Sequence, residues 1–205
     1  MNDFDALPII GILRGFNASQ TEQIIEAAIR GGLRNIEITM NTPDAAGQIR
    51  RAARGNLNIG AGTVLTRATL DEALEAGAKF IVTPTVQTDI IAECVRQKIP
   101  VFPGAFSPTE VLRAWDLGAA MVKIFPAETL GPAYVRALKA PLPHVRLLPT
   151  GGVDLQTLPA FLKAGASGFG IGSPLFDKAR IEACDWLWIQ ARCAAFAQVY
   201  CASLG

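Results

Sequence analysis

The sequence contains few residues that bind metals or form disulfide bridges. Its 205 residues include one histidine, His144, and four cysteines, none of which pair in a C-x-x-C motif. Three of the cysteines, Cys184, Cys193 and Cys201, fall in one predicted helix at spacings too long for a bridge. We therefore expect reduced thiols that fill the core, an exposed His144, and no bound metal or other cofactor.

The sequence also lacks a strong charge imbalance and long apolar runs. Lysine and arginine number 19 against 18 acidic residues, so the net charge is +1. This balance gives no electrostatic reason to expect nucleic acid or an anionic membrane as a partner. No apolar run reaches the roughly 20 residues that span a bilayer. Residues 1–5 are acidic and lack the basic start of a signal peptide, so we expect a cytoplasmic protein.

Short runs rich in β-branched residues alternate with longer segments whose apolar residues recur at helical spacing. Eight strands in such an alternation predict a (β/α)8 barrel that forms one domain over residues 1–205. A doubly wound open sheet is the alternative, weakened because no G-x-G-x-x-G motif follows the first strand. The predicted strands are Ile9–Leu13, Ile36–Thr39, Ile59–Thr63, Phe80–Thr83, Val101–Gly104, Met121–Phe125, Arg146–Thr150 and Gly168–Ile171.

Helix boundaries carry local signals. Ser19, Thr88 and Ser107 precede apolar-periodic segments and predict helix starts. Glycines that can take a left-handed conformation predict helix ends. They recur at similar intervals, each of which covers two strand–helix units, and are Gly32, Gly77, Gly118 and Gly165.

Lys123 lies in the run 119–126, which otherwise reads as a fully buried strand. Burial favours the neutral form of an amine, and a neutral amine attacks carbonyl compounds to form a Schiff base. The alternative is a structural lysine at a strand end whose ammonium group reaches solvent.

Polar residues follow the apolar bodies of the other strands, where Arg14, Glu37, Thr63, Thr83-Pro84 and Thr150 occur. In a barrel these carboxyl ends converge on one face, which is where active sites lie. Period-two alternation places Glu37 and Lys123 inside the barrel if the neighbouring isoleucines face the helices. A catalytic cluster is favoured over an inert ion-pair network, because buried charges are rarely needed for stability alone.

Two turns with glycines follow the last two strands. They contain Gly151 and Gly152 after the seventh strand, and Gly172 and Ser173 after the eighth. Backbone N–H groups at such glycines approach anions closely, and the loops after strands 7 and 8 often bind phosphate in this barrel. A similar glycine pattern, with Gly60 and Gly62, occurs at the third strand. We interpret these two glycines as making room for a substrate.

The chain resembles the 2-keto-3-deoxy-6-phosphogluconate aldolases, a family with relatives acting on the galactonate epimer and on 4-hydroxy-2-oxoglutarate. The resemblance runs in order over roughly residues 7–176. Its motifs are Ile12-Leu13-Arg14-Gly15, Glu37-Ile38-Thr39, Gly60-Ala61-Gly62-Thr63-Val64-Leu65, Val82-Thr83-Pro84, Lys123-Ile124-Phe125-Pro126-Ala127-Glu128 and Pro149-Thr150-Gly151-Gly152-Val153.

The resemblance implies a class I aldolase on a (β/α)8 barrel that needs no cofactor and assembles as a homotrimer. It implies that Lys123 forms the Schiff base and that Glu37 is the acid and base. It further implies that Arg14 and Thr63 hold the pyruvate carboxylate. The implied phosphate ligands are Gly151, Gly152, Gly172 and Ser173.

The substrate epimer is not fixed by the resemblance. Asn41 resembles the galactonate branch, whereas Thr150 resembles the gluconate type. Thr83, Pro84 and Phe125 are expected to line the same pocket. Cleavage of 4-hydroxy-2-oxoglutarate is an alternative. The rival functions from other classes are a metal-free phosphosugar isomerase or cyclase on the same barrel, and a phosphosugar-binding protein that does no chemistry.

Overall fold

The computed structural model describes residue 4 and residues 6–54 and 57–204. Eight strands lie within one residue of the predicted bounds at each end. They are β1 (Ile9–Leu13), β2 (Asn35–Thr39), β3 (Asn58–Gly62), β4 (Ile81–Thr83), β5 (Val101–Ala105), β6 (Val122–Ile124), β7 (Leu147–Pro149) and β8 (Phe169–Ile171). The helices are α1 (Ala18–Arg30), α2 (Ala45–Ala52), α3 (Arg67–Glu75), α4 (Thr88–Arg96), α5 (Pro108–Asp116), α6 (Ala127–Lys139), α7 (Leu158–Lys163), α8 (Lys178–Glu182) and α9 (Trp186–Ala202).

The strands form one parallel sheet in the order β7-β6-β5-β4-β3-β2-β1-β8. A parallel bridge between Thr150 and Gly170 joins the two ends of this order. The Ser167 N–H adds a hydrogen bond of 2.8 Å to the Leu147 carbonyl oxygen across the same seam. The predicted (β/α)8 barrel is confirmed, and the open doubly wound sheet is wrong.

Two apolar layers follow from the alternation along the strands. Side chains contributed by the strands, with Phe4, fill the interior, where the Phe80 and Phe102 rings meet edge to face at 5.6 Å between centroids. Ile36 and Ile38 belong instead to the larger layer between the sheet and the helices. Glu37 therefore faces the interior, as the period-two pattern predicts.

The glycine helix ends are confirmed by their backbone geometry. Gly32, Gly77, Gly118 and Gly165 have φ values of 90°, 97°, 100° and 100°. In each case the next residue's N–H bonds back to a carbonyl in the last helical turn, such as Leu33 N to Ala28 O at 3.0 Å. This is the arrangement that satisfies the free carbonyls at a helix end. It turns each chain segment towards the next strand.

The helix starts are confirmed in part. Ser107 caps α5 in a reciprocal bond pair with Glu110. Helix α1 begins earlier than predicted, because Asn17 and Gln20 form its capping box and Ser19 lies inside the helix. Helix α4 begins at Thr88, but Gln87 holds the cap position. Asparagine caps a helix as well as serine does, which is why the cap can lie at Asn17, two residues before Ser19.

The cysteine prediction is wrong in two respects. Cys184 and Cys201 are exposed, and only Cys94 and Cys193 fill the core. Cys184 also has φ 54° and lies between α8 and α9. It therefore belongs to a helix end and not to one long helix. All four thiols are free, as expected, and His144 is exposed.

Within the described ranges, no helix is long and apolar enough to cross a membrane. Residues 1–3 and 5 of the acidic start, on which the signal-peptide argument rests, lie outside the described residues. The same described ranges contain no group of three or more His, Cys, Asp or Glu side chains that could hold a metal ion.

Candidate active site

Lys123 and Glu37 lie buried within the barrel, on β6 and β2. Their exposed fractions are 6% and 2%. The Lys123 Nζ lies 4.9 Å from the centroid of the Phe125 ring, which is itself partly exposed at the end of the strand. The structure therefore shows a buried lysine and not a lysine whose ammonium group reaches solvent.

Burial changes the proton affinity of both groups. It lowers the pKa of Lys123, and the nearby positive charge of Arg14 lowers that pKa further, while Glu37 opposes the shift. Burial raises the pKa of Glu37 above its ordinary value, against the opposing effect of Lys123 and Arg14. Burial thus favours the neutral form of both groups, the amine of Lys123 and the carboxyl group of Glu37.

The Glu37 side chain occupies the space beside Gly62. A Cβ atom at Gly62 would collide with the Glu37 carboxyl group, and one at Gly60 would collide with the Phe80 ring. The interpretation that these glycines make room for a substrate is corrected: they make room for the catalytic candidate and for the barrel core. The sequence could not show this, because it does not reveal which neighbour covers a glycine.

Arg14 and Thr63 meet at the open end of the barrel. The Arg14 Nη2 donates to Thr63 Oγ1 at 3.4 Å, although the two residues follow different strands. Thr63 has φ 57°, a left-handed conformation that is unusual for a β-branched residue and typical of functional sites. A guanidinium and a hydroxyl at this distance can hold a carboxylate.

The two phosphate candidates lie side by side, because β7 and β8 are neighbours. Gly172 and Ser173 line a cleft of about 590 Å³, which Arg14 also lines. Lys178 lines the same cleft and was missed, since a lysine after the last strand carries no sequence signal. Gly151 and Gly152, with φ 90° and 68°, lie against the first turn of α6 at Glu128.

The remaining pocket candidates differ in exposure. Asn41 is exposed just beyond β2, and Pro84 is half-buried beyond β4. Thr83 is buried and its hydroxyl donates to Thr85 O at 2.6 Å, so it stabilises its own turn. Thr150 is 5% exposed and packs over Gly170 between β7 and β8.

Comparison with known proteins decides the family. The family model "Aldolase: KDPG and KHG aldolase" matches residues 2–192. The chain belongs to this aldolase family. It is 36% identical over 174 residues to the 2-dehydro-3-deoxy-6-phosphogalactonate aldolase of Escherichia coli, which covers 83% of this chain and 85% of the relative. It is 35% identical over 187 residues to the 2-dehydro-3-deoxy-phosphogluconate aldolase of Pseudomonas aeruginosa, with coverage of 90% and 84%.

A solved structure of this aldolase family shares the whole architecture. It is KDPG aldolase from Legionella pneumophila with pyruvate captured at low pH as a covalent carbinolamine intermediate. The TM-score is 0.88 at 27% identity, over 95% of this chain and 96% of that one. The chain is therefore an aldolase, an enzyme that cleaves carbon–carbon bonds.

Proposed function

We propose that this aldolase cleaves a 2-keto-3-deoxy-6-phosphosugar acid into pyruvate and glyceraldehyde 3-phosphate, reversibly, through a Schiff base on Lys123. The observation that carries the proposal is the burial of Lys123 beside Glu37 on facing strands, which favours a neutral amine. The substrate class is supported by the names of the two relatives, which act on the galactonate and gluconate forms of such an acid.

The proposed reaction begins when the Lys123 Nζ attacks the C2 ketone and forms a carbinolamine. Glu37 gives a proton to the departing hydroxyl group, and water leaves as the iminium forms. Glu37, now a carboxylate, takes the proton of the C4 hydroxyl while the C3–C4 electrons move into the iminium. Glyceraldehyde 3-phosphate leaves, Glu37 returns the proton to C3 of the enamine, and hydrolysis releases pyruvate and free Lys123.

The carbinolamine in the Legionella relative supports an amine nucleophile, since a carbinolamine is the product of amine addition to a ketone. We assign the substrate's carboxylate to Arg14 and Thr63, and its phosphate to the turns that contain Gly151, Gly152, Gly172 and Ser173. Lys178 lines the cleft that Gly172 and Ser173 also line, but its Nζ lies 3.7 Å from the Glu182 carboxylate, so its charge is already paired there. Phe125 and Asn41 border the pocket in this assignment, with Thr83 and Pro84 behind them.

The proposal is tested by trapping the Schiff base. Borohydride with pyruvate is expected to inactivate the enzyme and to add one pyruvate-derived mass at Lys123, because only a neutral amine adds to the ketone. Lys139 is the internal control: burial also lowers its pKa, but its Nζ donates to the carbonyl oxygens of Pro143 and Val145 outside the barrel. Peptide mass mapping locates the label. Labelling of Lys139, or of no lysine, contradicts the assignment.

The epimer preference is a separate prediction. We expect activity on both C4 epimers, with a preference of about tenfold for the gluconate form, because the Thr150 hydroxyl can bond one C4 hydroxyl better than the other. Thr150→Val keeps the shape of this buried side chain and should move the ratio of kcat/KM values towards the galactonate form. An unchanged ratio would show that Thr150 does not distinguish the epimers, which leaves Asn41 as the next candidate.

The family resemblance also leads us to propose a homotrimer that works in the cytoplasm, with residues 1–205 as one domain. The mass of the assembly in solution, measured by light scattering, tests the trimer.

Because the family model includes KHG aldolases, 4-hydroxy-2-oxoglutarate is the alternative substrate. It has no phosphate, so a low kcat/KM for it relative to the phosphosugar acids would favour the main proposal.

A further inference from the structure

Two buried polar side chains, Thr42 and Gln48, join the loop after β1 to the loop after β2. These loops carry Arg14 and Asn41, two of the candidate substrate ligands. Thr42 is 5% exposed and Gln48 is 2% exposed. We call the pair the loop clamp. Neither residue reaches the reacting atoms in the proposed mechanism, so the clamp requires a separate explanation.

Thr42 links the end of β2 to the residue that follows Arg14. Its Oγ1 accepts the N–H of Gly15 at 2.9 Å and lies 3.0 Å from the hydroxyl oxygen of Thr39. Its own N–H donates to the Thr39 carbonyl oxygen at 2.9 Å. Thr39 is the last residue of β2, the strand that carries Glu37. Thr42 therefore ties the backbone beside Arg14 to the strand of the acid and base.

Gln48 makes a second connection between the same two loops. Its Nε2 donates to the carbonyl oxygens of Phe16 at 3.0 Å and Pro43 at 2.9 Å. Its Oε1 accepts the hydroxyl of Thr21, on α1, at 2.6 Å. The buried Gln48 amide thus bonds to the loop after β1, to the loop after β2 and to helix α1. Such a network fixes relative position, because every partner loses its bond if the loops separate.

Arg14 needs this support, because its own side chain is weakly held. It is exposed, and its bond to Thr63 is long at 3.4 Å. Gly15 has φ 77°, yet a Cβ there would meet nothing within 4 Å. Gly15 is therefore required for the turn of the backbone and not for space. A long, exposed side chain binds an anion more tightly when its backbone is already in place.

We propose that Thr42 and Gln48 are positioning residues that place Arg14 to receive the substrate's carboxylate. The inference rests on the proposed function, since it takes Arg14 as the carboxylate ligand. It assigns to the clamp a larger effect on binding than on the chemical step. Its bonds hold the backbone of Gly15 and Phe16 beside Arg14, whereas on β2 they reach only Thr39, two residues beyond Glu37.

Thr42→Val removes the hydroxyl and keeps the side-chain shape, and Thr42→Ser restores the hydroxyl. We expect Thr42→Val to raise KM, and the pyruvate concentration for half-maximal borohydride trapping, by about tenfold, the change that one ordinary hydrogen bond produces. The kcat value should change by less than about threefold, and Thr42→Ser should return KM to within about twofold of the wild-type value. Gln48→Met should raise KM in the same sense.

Two controls separate positioning from loss of stability. Asn58→Leu removes a hydrogen bond of 2.9 Å to Asn35 at the opposite end of the barrel, so it should lower the melting temperature and leave KM unchanged. In an Arg14→Met background, Thr42→Val should raise KM by less than about twofold, because the side chain that it positions is gone.

Each outcome decides between the proposals. If wild-type Lys123 is not labelled by pyruvate and borohydride, the proposed function fails and the inference falls with it. If the wild type is labelled but Thr42→Val keeps the wild-type KM, only the clamp is overturned. It is likewise overturned if the effects of Thr42→Val and Arg14→Met on KM multiply, or if Asn58→Leu raises KM equally.

Discussion

Lys123→Met is expected to lower kcat by at least about 10⁴-fold, because the reaction loses its only proposed nucleophile. Methionine has a similar length and no charge, so it suits a side chain that is 6% exposed. The fold should be retained, because methionine fills a similar volume, although the buried Glu37 loses the nearby amine that lowers its pKa. Single-turnover assays with the phosphosugar acid measure the effect, and thermal melting verifies the fold.

Lys139→Met is the matched control for this loss. The pKa of Lys139 is also lowered by burial, but its amine bonds carbonyl oxygens after α6. We expect it to lose stability and to keep kcat within about twofold of the wild-type value. Turnover by Lys123→Met at a rate near that of the wild type would remove the Schiff-base mechanism. It would leave an aldolase that activates its substrate in another way.

The barrel could be predicted because the sequence carries two independent signals, one in the strands and one at the helix ends. Apolar strand bodies mark the sheet, and the glycines at 32, 77, 118 and 165 mark the turns that return the chain to it. Both signals are local, so a single sequence is enough to read them. The position of Glu37 inside the barrel could also be predicted. Ile36 and Ile38 face the helices, and alternation along the strand turns the residue between them to the interior.

Other features depend on contacts between distant residues, which the sequence does not show. Gly62 resembles a glycine that opens a pocket, but the space beside it holds Glu37. Thr42 resembles an ordinary loop threonine, but it accepts a hydrogen bond from Gly15 across two loops. Thr63 gives no sign of its left-handed backbone. Glu37 and Gly62 lie on the neighbouring strands β2 and β3, and Thr42 and Gly15 follow the neighbouring strands β2 and β1. Only the folded sheet brings each pair together.

Glu37→Gln is expected to lower kcat by at least about 10²-fold, the usual contribution of a general acid and base. The amide keeps the size of the side chain that fills the space beside Gly62, so the fold should be retained. Glu93→Gln is the matched control, because Glu93 is also a buried carboxylate but lies on α4, where Arg96 and Gln97 lower its pKa to about 2. It should keep kcat within about twofold while its ion pairs are weakened. Equal kcat values for Glu37→Gln and the wild type would show that Glu37 only balances charge.

The same substitution makes a further prediction about pH, because Glu37 and Arg14 act on Lys123 in opposite directions. Lys123 reacts as the neutral amine, so the rate of pyruvate trapping falls as the pH falls through its pKa. Glu37 raises that pKa and Arg14 lowers it. Glu37→Gln should therefore move the acid limb of the trapping rate to lower pH, and Arg14→Met should move it to higher pH. Trapping rates measured across the acid limb of the wild type and of each variant give both shifts. Opposite shifts would identify Lys123 as the group whose titration sets the acid limb of the trapping rate. Shifts in the same direction would mean that another group sets it.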